Sequence, residues 1–570
     1  MMQKLSSKWN ESRLLRLLAA LALNAVVLGF IVLIVNVGFE SNDDLTLAAF
    51  VDGQMANPNA HIPYINYLYA LLMKLVYDVF GRGVAWYTVA QYKFLFLSFV
   101  AVSFVMYERL RFWQGTVLSV ILLLFFGVDV YTIISYTKTA GLCAVGGMLL
   151  LTEAMSHVKQ QRWRIVMCLW GMVLCLVGFM LRPLEFLPCF GIMAVLSLRW
   201  FYGLLFSEKA GVGTKIFYFI RYALPFVLVI VLCAGLYAFD EAAWSREPWN
   251  YYHNYDAQRV AYSDYGRPEY EEMPEAYESL GLSETSVRLL YEGNYFDTEV
   301  FTGDLMDSIS AVRDEAFPPP GLGECLGIFL DQCLMGFFRN LHVYGFLIVL
   351  AFWLCAGEHK LRDWLTMAGI CGLFALMYFY LIYRGRYLID RVDVALFMAL
   401  AACMIYMLKP EKLQQEKSLA ALLLLFAIGT SYYLNRDAYR SEGEYIDRET
   451  RAAVETLLED EEHVYLAKLD TVSDRIYSSP FETALPGYWD KIVLLGGFDP
   501  NHPVIMANLK NYGVENPYRD IVNNNRVYII EDNIDLTLSH IHEFYDADAY
   551  AQLVEPMSSD TGLMIYRILS

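Results

Sequence analysis

Residues 62–80, IPYINYLYALLMKLVYDVF, decide how the chain is threaded. The run is apolar enough to suggest a membrane span. Counting it as one would send ERLRFWQ (108–114) and HVKQQRWR (157–164) outside, and nearly every later loop with them. Lys4, Lys8, Arg13 and Arg16 precede the first apolar run, and Lys/Arg-rich loops stay cytoplasmic. The segment is therefore read as a helix in the outer interface, Lys74 and Asp78 on its polar side, with four Tyr and one Phe as such a helix carries.

Working outward, spans are expected near 14–37, 85–107, 113–131, 138–156, 164–181, 184–204, 216–238, 336–356, 364–384, 391–408 and 418–434. SEKAGVGTK, EHKLRD and KPEKLQQEK then join the first two loops on the cytoplasmic side, and all five contain Lys or Arg. The first run is longer than a signal-peptide core and reads as a retained span. The expectation is an α-helical polytopic protein of about eleven transmembrane helices in a bacterial plasma membrane, N-terminus in. A transmembrane domain, 1–439, would carry external loops 38–84 and 240–335, followed by a small extracytoplasmic α/β domain, 440–570. HVYLAKL, KIVLLGG, RVYIIE and GLMIYRI are its expected strands.

Composition agrees with this reading. The chain has 570 residues, 57% of them hydrophobic, with a mean hydropathy of +0.36. Of the net charge of −19, residues 240–324 and 435–570 each carry −14, leaving the rest at +9. Such a chain is not a nucleic-acid binder. Most of the ten cysteines lie in apolar runs and none forms a CxxC pair, so no zinc or redox site is expected.

The unusual charges converge on one leaflet. Asp43, Asp44, Asp52 and His61 lie in the first external loop, beginning FESNDDLTLAAFVDG (39–53). Lys93, Asp129, Lys138, Arg182 and Glu185 stand near outer span ends, and Arg384, Arg386, Asp390, Arg391 and Asp393 crowd the turn YRGRYLIDRVD. Charge at such depths is expensive and usually functional. Each residue taken singly also fits a snorkelling side chain. Ser41, Asn42 or Asp43 also fits as the cap of a helix starting near Asp44, although capping explains neither the second acid nor the Arg-rich turn.

Paired acids after span one, an interface helix before span two and a large loop between spans seven and eight resemble the GT-C superfamily of membrane glycosyltransferases. That superfamily includes protein O-mannosyltransferases and the aminoarabinose transferases of lipid A. The loop WNYYHNYDAQRVAYSDYGRP and the RGR turn look like those of multi-pass bacterial members. The resemblance covers the chain to about residue 435. It implies a polyprenyl-phosphate sugar donor, and Asp43 matches the catalytic acid position with Asp44 beside it. The pair is Asp-Asp here, not the Asp-Glu of the mannosyltransferases, so donor and acceptor do not carry over.

The expected activity is inverting transfer of a sugar to a surface glycan, glycopolymer, lipid or protein. Asp43 is the expected base, and Asp44 its partner or the ligand of a divalent cation, Mg or Mn. Arg384, Arg386 and Arg391 are the first candidates for the donor phosphate, Lys138 and Arg182 the second. His61, Trp249, Tyr251 and Tyr252 are candidates for stacking on an acceptor, with interfacial anchoring as their other reading. The rival functions are a flippase of lipid-linked sugars and a non-catalytic envelope assembly factor.

Overall fold

In the computed structural model the described residues are 9, 12–40, 42–55, 59–205, 211–334, 340–355, 359–386, 390–408, 426, 428–429, 448–468, 472, 479–483, 485–558 and 562–570. The expected span at 418–434, its loop at 409–417 and residues 387–389 lie essentially outside them.

Helices stand at the other ten span positions: α1 (Arg13–Ile34), α4 (Trp86–Arg109), α5 (Phe112–Thr132), α6 (Tyr136–Ser156), α7 (Gln161–Leu181), α8 (Pro183–Leu205), α9 (Val212–Trp244), α11 (Leu341–Cys355), α12 (Leu361–Tyr383) and α13 (Asp390–Met407). Eight of them, all but α11 and α13, are long and apolar enough to cross a membrane. The chain is a multi-pass α-helical membrane protein. Helix α11 has 15 residues, and α13 opens on Asp390, Arg391 and Asp393.

The decisive segment forms α3 (Tyr67–Phe80). Its 14 residues span about 21 Å, short of a bilayer's hydrocarbon thickness. Asn66 caps it by accepting from Leu68 N–H, and Gly81, at φ 81°, ends it. Tyr69, Ala70, Met73 and Tyr77 face inward, while Lys74 and Asp78 pair at 3.8 Å on the open side. Two bonds tie its start to α9: Tyr67 N–H donates to Asp240 and Asn66 Nδ2 to the Leu236 carbonyl.

Helix α6 is the hub. Nearly all of its residues are buried, and Gly147 packs against Gly171 of α7 so closely that a methyl on either would sit 2.7 Å from a backbone oxygen. Two-residue strands β1 (Gly38–Phe39) and β2 (Ile133–Ile134) pair in parallel, fixing the chain just before the acid pair to the start of α6. At the opposite end of the bundle Arg13 and Arg16 both bond Glu108, at 2.8 and 2.6 Å.

The C-terminal region forms a five-stranded mixed sheet, ordered β4-β3-β5-β7-β6: β3 (Val464–Ala467), β4 (Ile492–Leu494), β5 (Val527–Glu531), β6 (Tyr550–Pro556) and β7 (Met564–Leu569). Four strands coincide with the expected runs. The fifth, β6, is an edge strand exposed along nearly its whole length and carries no alternating apolar signal. The region does not stand apart from the loop at 240–335. Phe296 N–H donates to the Leu495 carbonyl at 3.0 Å. Buried Asp297 accepts from Asn516 (2.9 Å), Tyr545 (2.7 Å) and His540 (2.8 Å). Burial pushes the Asp297 carboxyl up, but these donors hold it below the usual carboxylate range.

Candidate active site

Helix α2 (Asn42–Asp52) begins at Asn42, so both acids lie within its first turn, where a carboxylate meets the positive end of the helix. Asp43 is therefore not the cap, and Ser41 lies outside the described residues. The two acids face different surroundings. Asp44 is fully buried, and its Oδ1 accepts from Tyr87 Oη at 2.8 Å and from the Tyr136 N–H at 3.2 Å. Burial pushes its pKa up to about 7, against the opposing pull of the Tyr87 hydrogen bond. Asp43 keeps 27% of its side-chain surface open, and its Oδ2 lies 3.7 Å from Arg391 Nη1. One acid is reachable and the other is sealed in.

Arg182 stands at the same level. It is the hinge between α7 and α8: Pro183 opens α8, where a missing N–H costs nothing, and holds Arg182 extended at φ −160°, ψ 100°. Its guanidinium donates to Tyr136 Oη and lies 5.1 and 5.2 Å from the centres of the Tyr64 and Tyr136 rings. Asp43 is within electrostatic reach, but no carboxylate lies at ion-pair distance of Arg182 among the described residues. Tyr64 holds a left-handed backbone, φ 64°, costly for a bulky residue, and its Oη accepts from Arg259 at 3.0 Å. Glu185, one turn further on, is buried with one oxygen unpartnered.

The other expected phosphate ligands are engaged elsewhere. Lys138 Nζ is buried and bonds Glu40 at 3.2 Å, Asp129 at 3.1 Å and the Ile133 carbonyl at 3.2 Å. Two hydrogen bonds and the Glu40 ion pair occupy its ammonium, which braces the chain just after β1 against α5. Arg386 bonds Asp264 at 2.8 Å, and Arg384 and Arg386 both lie over the Tyr265 ring, at 5.4 and 5.9 Å. They clasp the end of α10 (Trp249–Ser263), whereas Arg391 turns to Asp43. The Arg-rich turn divides its labour.

The expected acceptor residues also divide. His61 stacks on Trp249 at 4.0 Å, and both approach His502 of the C-terminal region through Trp249 (5.5 Å) and Tyr252 (4.7 Å). Tyr252 is buried and donates to the Phe498 carbonyl at 3.1 Å. Trp249 and Tyr252 are thus seam residues under that region rather than an open stacking platform, and Tyr251 alone of the four is exposed. Asp52 is buried and accepts from Gln54 N–H, and Lys93 points outward over Phe94.

A divalent cation at Asp44 does not fit. The carboxylate faces hydrogen-bond donors, and no group of three or more His, Cys, Asp or Glu suited to a metal occurs among the described residues. Tyr64, Tyr87 and Tyr136 went unforeseen; only the placement of Tyr136 in SYTKTAG, beside a charge at a span end, was a usable signal.

No family model matches the sequence, and no curated protein matches it. The chain is similar to two crystal structures of ArnT from Cupriavidus metallidurans, one bound to undecaprenyl phosphate and one in the apo state. Both share 12% identity with it at a TM-score of 0.39. The first covers 96% of this chain and 97% of that one, the second 97% of each. Nothing about the site rests on that likeness.

Proposed function

We propose that the chain is an inverting glycosyltransferase that moves a sugar from a polyprenyl-phosphate donor to an acceptor hydroxyl on the outer face of the membrane. The observation that carries this reading is the pairing of a reachable carboxylate, Asp43, with Arg182, a cation lacking a carboxylate partner among the described residues. Asp43 and Arg182 lie within electrostatic reach of one another, and on this reading the first serves as base and the second as anion site.

In the proposed step Asp43 removes the acceptor's proton as its oxygen bonds the sugar C1. The C1–O bond to phosphate breaks, and the polyprenyl phosphate leaves with the electron pair. Arg182 and Arg391 meet the charge that develops on it. Attack opposite the leaving group inverts C1. Asp44 cannot reach the acceptor; its negative charge, when present, favours the positive charge that develops on the sugar in the transition state. Asp44 is charged only above its pKa of about 7, so transfer is expected to fall as pH drops through that value. A pH–rate profile of wild type against Asp44→Asn checks this: the variant should be slower and lack that limb, and an unaltered limb would assign it to another group.

The assay is purified protein in nanodiscs with a panel of undecaprenyl-phosphate sugars and cell-wall acceptors; undecaprenyl phosphate is the lipid bound in one of the similar structures. Orientation is tested separately. In a cysteine-free background, a Cys at Asn254 should react with an impermeant maleimide on whole cells and one at Lys159 should not, because the Lys/Arg-bearing loops place 157–164 inside. Labelling at Lys159 would invert the site and end the proposal.

A further inference from the structure

Asp44 uses one oxygen. Its Oδ2 is buried and has no protein partner, and it is not isolated. Gln91 lies one turn along α4 from Tyr87, on the same face, and neither its Oε1 nor its Nε2 has a partner. The Tyr69 hydroxyl on α3 lacks one as well. Tyr69 lies within electrostatic reach of Asp44, of Tyr87 and of Cys143, whose Sγ is 3.5 Å from Ser98 Oγ, further along the same face of α4. By helical spacing Tyr87, Gln91 and Ser98 share one buried face of α4, and Tyr69 lies within reach of both Asp44 and Cys143, so we infer one column running from Asp44 toward the Ser98–Cys143 contact.

Four orphaned polar atoms in a column that begins at a functional carboxyl are not packing accidents, because each costs free energy in a dry interior. They comprise two acceptors, an amide donor and a hydroxyl able to do both. A metal cation would meet the Gln91 amide hydrogens, and an anion would meet Asp44. Water, which donates and accepts and takes two to four partners, matches the set.

We propose that Asp44, Tyr69 and Gln91 form an internal water-binding site behind the acid pair. The water ties Asp44 Oδ2 to α3 and α4, as Tyr87 and Tyr136 tie Oδ1 to α4 and α6. Tyr69 and Gln91 are positioning residues: they touch no substrate and act through Asp44. This role rests on the transferase reading, whereas the water site itself does not.

The test is X-ray hydroxyl-radical footprinting of the intact protein in nanodiscs, which oxidises side chains beside bound water even where bulk solvent is excluded. Tyr69 should label well above Phe104, a fully buried apolar residue of α4, and the signal should be lost in Gln91→Leu. Labelling of Tyr69 no greater than that of Phe104, or unchanged in Gln91→Leu, would overturn the site. Should Gln91→Leu not insert, Tyr69→Phe with Tyr87 as reporter makes the same measurement. No donor is needed, so a failed glycosyltransferase assay leaves this result standing. With an active transferase, Gln91→Leu should lower kcat about tenfold at unchanged donor KM, and an unchanged kcat would remove the positioning role.

Discussion

Asp43→Asn is expected to insert and bind donor as the wild type does, yet to transfer sugar about 10²–10⁴-fold more slowly, the usual cost of losing a general base. The substitution keeps the size of the side chain and its place in the first turn of α2. It removes only a full charge and the capacity to take a proton. The ion pair with Arg391 is long, 3.7 Å, and partly open to solvent, so its loss costs about 1 kcal/mol or less and does not threaten the fold. Asp44→Asn should behave differently. That residue is buried between Tyr87 and Tyr136 and reaches no acceptor, so its loss should slow transfer less than that of Asp43. A steady-state comparison of the two variants on one donor and acceptor checks the order.

The second large effect is expected at Arg182. Arg182→Ala should weaken donor binding and slow transfer, with about 10- to 150-fold lost from kcat/KM, because a hydrogen bond to a charged group is worth about 1.5–3 kcal/mol. Its guanidinium is held between the Tyr64 and Tyr136 rings, so Arg182→Lys should restore only part: an ammonium makes neither the planar stacking contact nor a bidentate bond to phosphate. Arg386→Ala should cost much less, since Arg386 is spent on Asp264. Donor titrations of the three variants separate the roles. An Arg386→Ala loss equal to that of Arg182→Ala would move the phosphate site back to the Arg-rich turn.

Much of the fold was legible in the chain, because a bilayer imposes a length and a charge rule that local sequence reports directly. Residues 62–80 are the instructive case: hydropathy suggested a span, the Lys/Arg of later loops argued against one, and α3 is a 14-residue helix anchored to the end of α9. What failed was information carried by distant approach. Lys138 read as a second-choice phosphate ligand at a span end, because nothing local reveals that Glu40 and Asp129 close on it. Trp249 and Tyr252 read as acceptor-stacking or interfacial residues, because the region that covers them lies some 250 residues away.

The acid pair illustrates both sides. Asp43 and Asp44 were visible as adjacent acids after a membrane span, but their division into a reachable and a buried carboxyl depends on Tyr87 and Tyr136 of two other helices. Arg182 ranked below the Arg-rich turn in the sequence, since three arginines in a row of eight residues outweigh one. Arg384 and Arg386 lean on Tyr265 and Arg391 joins Asp43, which is why the proposal puts Arg182 first.

The most direct test of the central claim is a single-turnover measurement with donor prebound to saturation, comparing wild type with Asp43→Asn. Saturation separates chemistry from binding, and one turnover separates it from product release. The account predicts equal donor occupancy, a product whose anomeric configuration is inverted, and a rate constant at least about 10²-fold lower in the variant. Transfer by Asp43→Asn at a near wild-type rate, or a product that retains the donor's configuration, would contradict it.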